Sequence, residues 1–348
     1  MKCRTSPGRS FRAAFRLGLS VRRWHVASAG ALLSLAFSAI ALANDSTARL
    51  DTGELVLIPN ADVRLSDEDL FISPDEIRVR YLFESTSNEP ITTTVAFPIP
   101  PVDLSQDVGY SINPVDPVDF IGFKLWIDDR PTAYRIDARA TVDGRDVTDI
   151  LNEYNIPLTP FTADLESLDR LRQRLNNLPA DVIERLRAEK IIHGPDWGEG
   201  FNEAWTANIS YFWTMTFPPG QTVEVRHSYT PVPTSTFYTD YDVEGRTFHD
   251  SACIDTGFER AVKKLLPKQE YNALDATILA YILTTANNWR DSIGHFHLTI
   301  DKLSTEALVS LCRDGIRKTG PTTFEWEARD YRPERDLTVL FVKPLPKE

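Results

Sequence analysis

The sequence predicts a mainly β fold of the α+β class, built from antiparallel β-sandwich units with a helical insertion. From about Leu50 to Leu151, and again from Trp205 onwards, apolar residues recur at every second position between turn residues. This period is typical of antiparallel strands with one side on a core. Between the two regions the apolar spacing changes to three and four residues, which indicates amphipathic helices. Because no helix separates consecutive strands, a sandwich is favoured over a βαβ fold.

The N-terminal strands are clearest over residues 77–100. Apolar and charged side chains alternate there, with Ile77, Val79, Tyr81 and Phe83 on the apolar side. Residues 86–90 form a polar turn, after which a second strand returns through 91–100. A further hairpin is predicted from 123–127 to 132–141, because Asp128-Asp129-Arg130-Pro131 has the composition of a turn.

Five leucines define the helical stripe: Leu165, Leu168, Leu171, Leu175 and Leu178. Thr162 is a suitable N-cap, Pro179 ends the first helix, and residues 181–191 form a second one. We interpret the stripe as packing against the sandwich. A helix that binds a separate partner is the alternative.

The C-terminal region begins with two long strands. Alternation gives them one apolar face, which contains Ile209, Tyr211, Trp213, Met215 and Phe217, then Val223, Val225, His227 and Tyr229. His227 on this face is interpreted as a hydrogen-bonded core histidine and not as a catalytic base. A short helix is predicted over 258–266. Residues 276–285 are predicted to form a hairpin with the strand of Phe296, Leu298 and Ile300.

The first 43 residues have the pattern of a signal peptide. Seven basic and no acidic residues occupy the first 25 positions, and an uncharged run follows from Val26 to Ala43. The run ends on Ala41-Leu42-Ala43, the small-x-small pattern of a signal peptidase site. Cleavage after Ala43 is therefore predicted, with an uncleaved membrane anchor as the alternative. The remaining chain divides into an N-terminal antiparallel β-sandwich (44–155), a helical insertion (156–200) and a C-terminal β-rich region with a short helix (201–348).

The charge of the chain restricts its partners. The formal charge is −12, and loss of the seven basic residues with the leader makes it −19. Such a surface repels phosphate backbones and anionic lipid head groups, which argues against binding to nucleic acid or to membrane surfaces. No second apolar run reaches membrane-spanning length. We expect a periplasmic or secreted protein that is not inserted in a membrane after cleavage.

The cysteines predict one disulfide. Cys3 leaves with the leader, so Cys253 and Cys312 remain as an even pair in an oxidising compartment. Two buried free thiols are the alternative.

A candidate ligand-contact segment lies at residues 193–205. It concentrates carboxylates and indoles, namely Asp196, Trp197, Glu199, Glu203 and Trp205. Tryptophan faces bind sugar rings, and paired carboxylates can cleave a glycosidic bond. The segment therefore suggests a carbohydrate contact surface, with a solvated connector as the alternative.

Two further patterns resemble metal sites. Asp240-x-Asp242-x-Glu244-Gly245 matches the start of a calcium loop, but position 251 is Ser where a Glu is needed. We interpret it as an acidic hairpin turn. His295 and His297 lie on the same face of a predicted strand and would need a distant carboxylate to hold a metal ion. No catalytic, cofactor-binding or metal-binding residue is assigned, because hydrolase, zinc-protease and nucleotide motifs are all absent.

Several strings resemble an uncharacterised family of secreted bacterial proteins that is known as a domain of unknown function. They are Glu68-Asp69-Leu70-Phe71-Ile72-Ser73, Ile77-Arg78-Val79-Arg80-Tyr81 and Val95-Ala96-Phe97-Pro98-Ile99-Pro100, with Val309-Ser310-Leu311-Cys312 in the C-terminal half. This resemblance implies no activity. A fainter one is to the β-sandwich domain of vault and inter-alpha-trypsin inhibitor proteins, through residues 83–100 and 123–128. It implies a sandwich architecture alone.

These observations lead to one preferred function and two alternatives. We expect a non-catalytic periplasmic or cell-envelope protein that binds an envelope protein or a glycan. The first alternative is an exported carbohydrate-active hydrolase with dispersed carboxylates. The second is a metal-stabilised module.

Overall fold

The computed structural model describes residues 44–51, 54–105, 109–110, 119–159, 167–194, 200–266 and 272–345. The predicted signal peptide and the Thr162 N-cap lie outside these ranges. The strands up to the helical region are β1 (Ser46–Asp51), β2 (Glu54–Leu57), β3 (Val63–Ile72), β4 (Ile77–Ser85), β5 (Ile91–Pro98), β6 (Val102–Asp103), β7 (Gly109–Tyr110), β8 (Lys124–Ile127), β9 (Arg130–Pro131), β10 (Arg135–Val142) and β11 (Arg145–Asp146).

The later strands are β12 (Ile192–His193), β13 (Asn202–Glu203), β14 (Thr206–Phe217), β15 (Thr222–Tyr229), β16 (Thr234–Thr239), β17 (Ala273–Tyr281), β18 (Ile293–Asp301), β19 (Leu308–Leu311), β20 (Arg317–Lys318), β21 (Thr323–Tyr331) and β22 (Leu337–Pro344). The helices are α1 (Thr148–Glu153), α2 (Ser167–Asn176), α3 (Ala180–Ala188), α4 (Asp240–Gly245), α5 (His249–Ala252) and α6 (Thr256–Leu265), and a 3₁₀ helix spans Thr284–Asn288.

Three large sheets contain all of the strands named above except β12 and β13, which pair with each other. The seven-stranded sheet has the order β11-β10-β14-β5-β1-β2, with β6 beside β14. The eight-stranded sheet has the order β20-β21-β18-β3-β4-β15-β8-β9, and the five-stranded sheet β19-β22-β17-β16-β7. Neighbours in these sheets run antiparallel, apart from β18 and β3, which run parallel. The predicted mainly β fold class is confirmed.

The seven- and eight-stranded sheets pack face to face through the residues that alternation predicts. The Phe83 ring on β4 lies 5.8 Å from Phe217 on β14, and the Phe123 ring lies 4.5 Å from Tyr211. Each of these side chains is buried. Burial of one such ring stabilises the fold by about 1.5–3 kcal/mol, so the aromatic layer between the sheets is a main source of stability.

The five-stranded sheet is covered on both sides. On β22, Val339 and Phe341 join the main core, whereas Leu340 and Val342 pack in a second core that includes Phe258 of α6. A strand that is buried on both faces reads as a continuous apolar run instead of an alternating one. This explains why the sequence pattern of β17 and β22 is the least clear.

The prediction for residues 276–285 is confirmed for the strand and wrong for its hairpin partner. The segment does form a strand, β17, but its partners are β16 and β22. Phe296, Leu298 and Ile300 lie on β18, in the eight-stranded sheet. The hairpin is wrong because the 3₁₀ helix over Thr284–Asn288 follows β17 and the next strand belongs to another sheet.

The helices α2 and α3 fall inside the predicted helical insertion. Leu171 and Leu175 of α2 and Leu186 of α3 are buried and belong to the main core, which confirms that the stripe packs on the sandwich. Within the described ranges, none of the helices combines the length and the apolar character of a membrane span. Strands of residues 44–155 and of residues 201–348 lie together in the seven- and eight-stranded sheets, and the predicted division of the chain stays a prediction.

A β-bulge in β3 changes which of its residues face the core. Val63 and Leu65 are buried before the register shift between Leu65 and Asp67, and the buried positions after it begin at Glu68. The shift therefore turns Glu68 inward and leaves Asp67 and Asp69 on the outer face. The parallel neighbour β18 approaches closely here, since a Cβ on Gly294 would lie 2.6 Å from the carbonyl oxygen of Ser66.

Candidate functional site

An open cavity of about 620 Å³ lies on the outer face of the eight-stranded sheet. Strand alternation forms it, because side chains between the buried apolar residues point away from the core. Five neighbouring strands, β18, β3, β4, β15 and β8, contribute to its walls. Its walls include Asp69, Phe71, Arg78, Trp126, Arg226 and His297.

Two arginines of the cavity lie against aromatic rings. The guanidinium carbon of Arg78 is 4.1 Å from the centre of the Phe71 ring, and that of Arg226 is 6.0 Å from the Trp126 ring. Such cation–π contacts hold a flexible arginine next to an apolar surface. The cavity therefore presents N–H donors beside aromatic faces.

Carboxylates neutralise part of this positive charge. Arg80 lies 3.1 Å from Asp67 and 2.6 Å from Glu224. Arg226 is paired with Asp129 and also lies 3.3 Å from Glu224. These pairs fix the two arginines in place, so neither brings a full unpaired charge to a ligand.

Arg78 differs from the other two arginines. Its carboxylate neighbour Glu76 is 3.5 Å away, and the two side chains are 53% and 44% exposed. An ion pair of this length and exposure contributes little, so the guanidinium of Arg78 can exchange Glu76 for another anion. Arg78 is therefore the best placed of the three to bind a ligand carboxylate.

The predicted histidine pair lies at the same face. As expected, His295 and His297 project to one side of β18, opposite the buried Phe296 and Leu298. The parallel register places His295 beside Asp67 and His297 beside Asp69, and the Nδ1 atoms are 2.9 and 3.1 Å from carboxylate oxygens. Among the described residues, no group of three metal-ligating side chains converges here or elsewhere.

The predicted ligand-contact segment is only partly described. Asp196, Trp197 and Glu199 lie outside the described residues. Glu203 is 1% exposed and lies 3.5 Å from Arg172, and the buried Trp205 donates its indole N–H to the Leu158 carbonyl at 2.8 Å. Neither side chain lies at the surface. Both residues extend the alternation of β14 on its core-facing side. This alternation was already visible in the sequence.

The calcium-like sequence forms a helix. Residues Asp240–Gly245 are α4, and the Asp242 carboxylate accepts hydrogen bonds from the Thr239 backbone N–H and hydroxyl, each at 2.8 Å. The predicted acidic hairpin turn is therefore wrong. The physical reason is a capping box, which the spacing of Thr239 and Asp242 allows.

His227 lies in the core, as predicted. Its Nε2 atom is 3.2 Å from a carboxylate oxygen of Asp45, and its ring is 4.8 Å from Phe97 and 5.1 Å from Phe123. Burial of Asp45 raises the pKa of that carboxyl, and the proximity of His227 acts in the opposite direction. The interpretation of His227 as a hydrogen-bonded core histidine is confirmed.

A second cavity, of about 760 Å³, adjoins the disulfide. Cys253 and Cys312 are bonded, as predicted from the cysteine count. Arg313, Lys318 and Arg335 line the cavity, and burial lowers the pKa of Arg313. The Arg313 guanidinium lies 5.5 Å from the Trp326 ring, so this cation packs against an aromatic side chain that belongs to the fold.

Sequence reasoning missed the cavity on the eight-stranded sheet. Each strand shows only charged residues between apolar ones, as Arg78 and Arg80 do on β4, and this is also the pattern of an ordinary solvated face. The site arises when the strand order brings β8, β15, β4, β3 and β18 together. The aromatic residues at outward positions, Phe71 and Trp126, were the signal that could have indicated it.

Comparison with solved structures found distant similarity. A Legionella pneumophila protein proposed to bind nutrients aligns with a TM-score of 0.42 and 15% identity, over 82% of this chain and 68% of that one. An M1 zinc metallopeptidase from Deinococcus radiodurans aligns with a TM-score of 0.27 and 8% identity, over 82% of this chain and 43% of that one. The chain thus spans less than half of the peptidase. A comparison with curated proteins found no match.

The comparison with protein families gave an extensive match. It begins at residue 43, where the predicted leader ends, and continues to residue 340. It agrees with the resemblance to an uncharacterised family that residues 68–100 carry, and it gives no support to the fainter one to vault and inter-alpha-trypsin inhibitor proteins. The chain therefore belongs to the family described as a domain of unknown function (DUF4424).

Proposed function

We propose that this protein is an exported, non-catalytic binding protein of the periplasm or cell envelope, and that its ligand is a glycan unit with a carboxylate group. One observation carries the proposal: two aromatic rings and two stacked arginines meet in a single cavity of about 620 Å³. Aromatic faces pack on sugar rings, and guanidinium groups bind carboxylates.

The remaining wall residues suit the same ligand. Asp69 and His297 offer a paired acceptor and donor for sugar hydroxyls, 3.1 Å apart. Arg78 supplies the positive charge, which matters because the full chain carries a formal charge of −12 and would otherwise repel an anion. The leader sequence and the disulfide between Cys253 and Cys312 support an exported location.

The hydrolase alternative depends on other residues. It requires Asp196 or Glu199, which lie outside the described residues, or Glu203, which is buried beside Arg172. The metal-stabilised alternative depends on His295 and His297. Both stay predictions without a specific observation in their favour.

The test is a binding measurement with acidic and neutral oligosaccharides. Isothermal titration calorimetry should detect uronic-acid oligomers and should show at least about tenfold weaker binding for their neutral analogues, since loss of one charge-assisted contact costs about 1.5–3 kcal/mol. Trp126→Ala and Arg78→Ala should each weaken binding to a similar extent. Equal binding of acidic and neutral sugars would contradict the assignment of Arg78.

Two variants serve as matched controls. Tyr241→Ala removes an aromatic ring that is 84% exposed and does not line the cavity. Arg64→Ala removes an arginine of β3 that pairs with Glu84 at 2.6 Å and does not line the cavity. Both should bind like the unchanged protein. A loss of affinity in these controls equal to that in Trp126→Ala would place the ligand elsewhere.

A further inference from the structure

The first described residues enter the core directly. Asn44, Asp45 and Ser46 are all 0% exposed. The Trp289 indole donates to the Asp45 carbonyl at 2.6 Å, and the Asn288 amide donates to the Ser46 hydroxyl at 2.9 Å. Segments near a cleaved leader usually lie at the surface, so burial this close to the predicted cleavage point needs a physical reason.

Glu68 lies in the same part of the core. Its carboxylate is 0% exposed and accepts hydrogen bonds from the Asn44 side-chain amide at 3.2 and 3.1 Å. Burial raises the pKa of Glu68 to about 8, opposed by the Asn44 hydrogen bond and reinforced by Asp45 and Asp67. Among the described residues, no lysine, arginine or histidine forms an ion pair with it. A buried carboxylate without a cation is costly.

The neighbouring polar groups that the structure describes give Glu68 no cation that would favour its ionised form. Asp45 has His227 as its partner, at 3.2 Å. Tyr81 bonds to the Asn44 side chain and lies 3.0 Å from the Tyr281 hydroxyl, and burial raises the pKa of both tyrosines, so they stay neutral.

The α-nitrogen of Asn44 belongs to the residue whose side chain contacts Glu68. Covalent geometry keeps it within about 5 Å of the Nδ2 atom of the same residue, by standard bond lengths. That Nδ2 atom is 3.1 Å from the Glu68 carboxylate. In the uncleaved chain this nitrogen is a neutral amide, and after cleavage between Ala43 and Asn44 it becomes an ammonium group.

We infer that cleavage after Ala43 is a maturation step of the fold, in which the new α-ammonium group of Asn44 forms a buried ion pair with Glu68. The step is hydrolysis of the Ala43–Asn44 peptide bond by a signal peptidase. Water supplies the hydroxyl for the Ala43 carboxyl group and a proton for the Asn44 nitrogen, and the proton that the new carboxyl group loses converts the amine to the ammonium form. The mature chain thereby gains the cation that the cluster around Glu68 lacks.

The first test uses the full chain, expressed in a bacterial host and purified after export. Intact mass and N-terminal sequencing should show that the product begins at Asn44. An amine reagent at neutral pH should label its α-amine at least about 100-fold more slowly in the folded than in the unfolded protein, because labelling requires local opening of the core. Exposed lysines such as Lys190, whose side chain is 78% exposed, provide the internal control. A different first residue, or equal labelling in both states, would overturn the inference.

The second test addresses the ion pair itself. The α-amine is carbamylated in the unfolded chain at a pH where lysines are protonated, and the chain is then refolded. Blocking should lower the melting temperature of the unchanged protein by several degrees and should have a much smaller effect on Glu68→Gln, whose side chain carries no charge. Equal effects in both proteins would refute the pair. If Glu68→Gln does not fold, titration of the α-amine in the unchanged protein decides, because an ion pair raises the pKa of this amine above its value in the unfolded chain and an unraised pKa would refute the pair.

Discussion

The imidazole of His227 lies 3.2 Å from the carboxylate of Asp45, and both side chains are fully buried. The exposed face of the neighbouring strands contains a similar pair, His295 and Asp67, with 2.9 Å between the atoms and side chains that are 32% and 26% exposed. The protein thus contains the same chemical pair in a buried and in a partly solvated setting, which allows a direct comparison of their energetics.

We predict that His227→Ala lowers the free energy of unfolding by about 3–5 kcal/mol, because it leaves the Asp45 carboxylate buried without its partner. His295→Ala should cost less than about 1 kcal/mol, since water can solvate Asp67. Urea denaturation of both variants measures the difference. Comparable losses would show that the buried pair stabilises the protein no more than the partly exposed pair does.

A second prediction concerns pH. In the uncleaved chain the folded-state pKa of Glu68, about 8, lies above its ordinary value of 4.5. The folded state then binds more protons than the unfolded state between these values, so the free energy of unfolding falls as pH rises from about 4.5 to about 8. The loss is up to about 4 kcal/mol. Glu68→Gln should remove this dependence of the free energy of unfolding on pH, which denaturation curves measured at several pH values across the range would show. An unchanged pH dependence would refute the assignment.

A third prediction follows from the close approach of β18 and β3. Gly294→Ala should destabilise the protein by about 1–3 kcal/mol, because the new methyl group would meet the Ser66 carbonyl oxygen at 2.6 Å and backbone cannot move as a side chain can. Gly194→Ala is the matched control, since no atom lies within 4 Å of a Cβ there. Thermal unfolding should separate the two variants, and similar melting temperatures would mean that the strands adjust freely.

A fourth prediction concerns the disulfide. Cys253 and Cys312 are 59 residues apart in sequence, so the bond closes a long loop that contains α6, β17 and β18. Replacement of both cysteines by serine should lower the free energy of unfolding by about 2–4 kcal/mol. The same loss should follow when the unchanged protein is unfolded in a reductant, which serves as the control. If neither the serine variant nor the reduced protein loses stability, the disulfide has no structural role.

The alternation of apolar and polar residues correctly predicted which side of β4, β14 and β15 faces the core, because each of these strands has one side on the core. It was least informative for β22, where Leu340 and Phe341 are buried on opposite faces. It also could not reveal the bulge in β3, since the phase change between Leu65 and Glu68 depends on pairing with β4. That single shift decides which acidic residue enters the core, so the buried Glu68 was out of reach of a sequence pattern.

The candidate site was harder to predict than the fold. The histidine pair was found from the spacing of His295 and His297, yet its carboxylate partners belong to β3, which lies 228 residues away in sequence. Trp126 and Arg226 likewise meet only through the pairing of β8 with β15. A sequence pattern is local, whereas this cavity depends on contacts between distant strands.

The parallel pairing of β18 with β3 also governs the order in which the protein can fold. The edge of β3 that faces β18 has no strand partner until residues 293–301 have been made, so the N-terminal hairpins cannot complete their sheet before then. The exposed strand edge is then open to pairing with other chains. Completion of the eight-stranded sheet must therefore wait until most of the polypeptide has been made, whereas all strands of the seven-stranded sheet are present by residue 217.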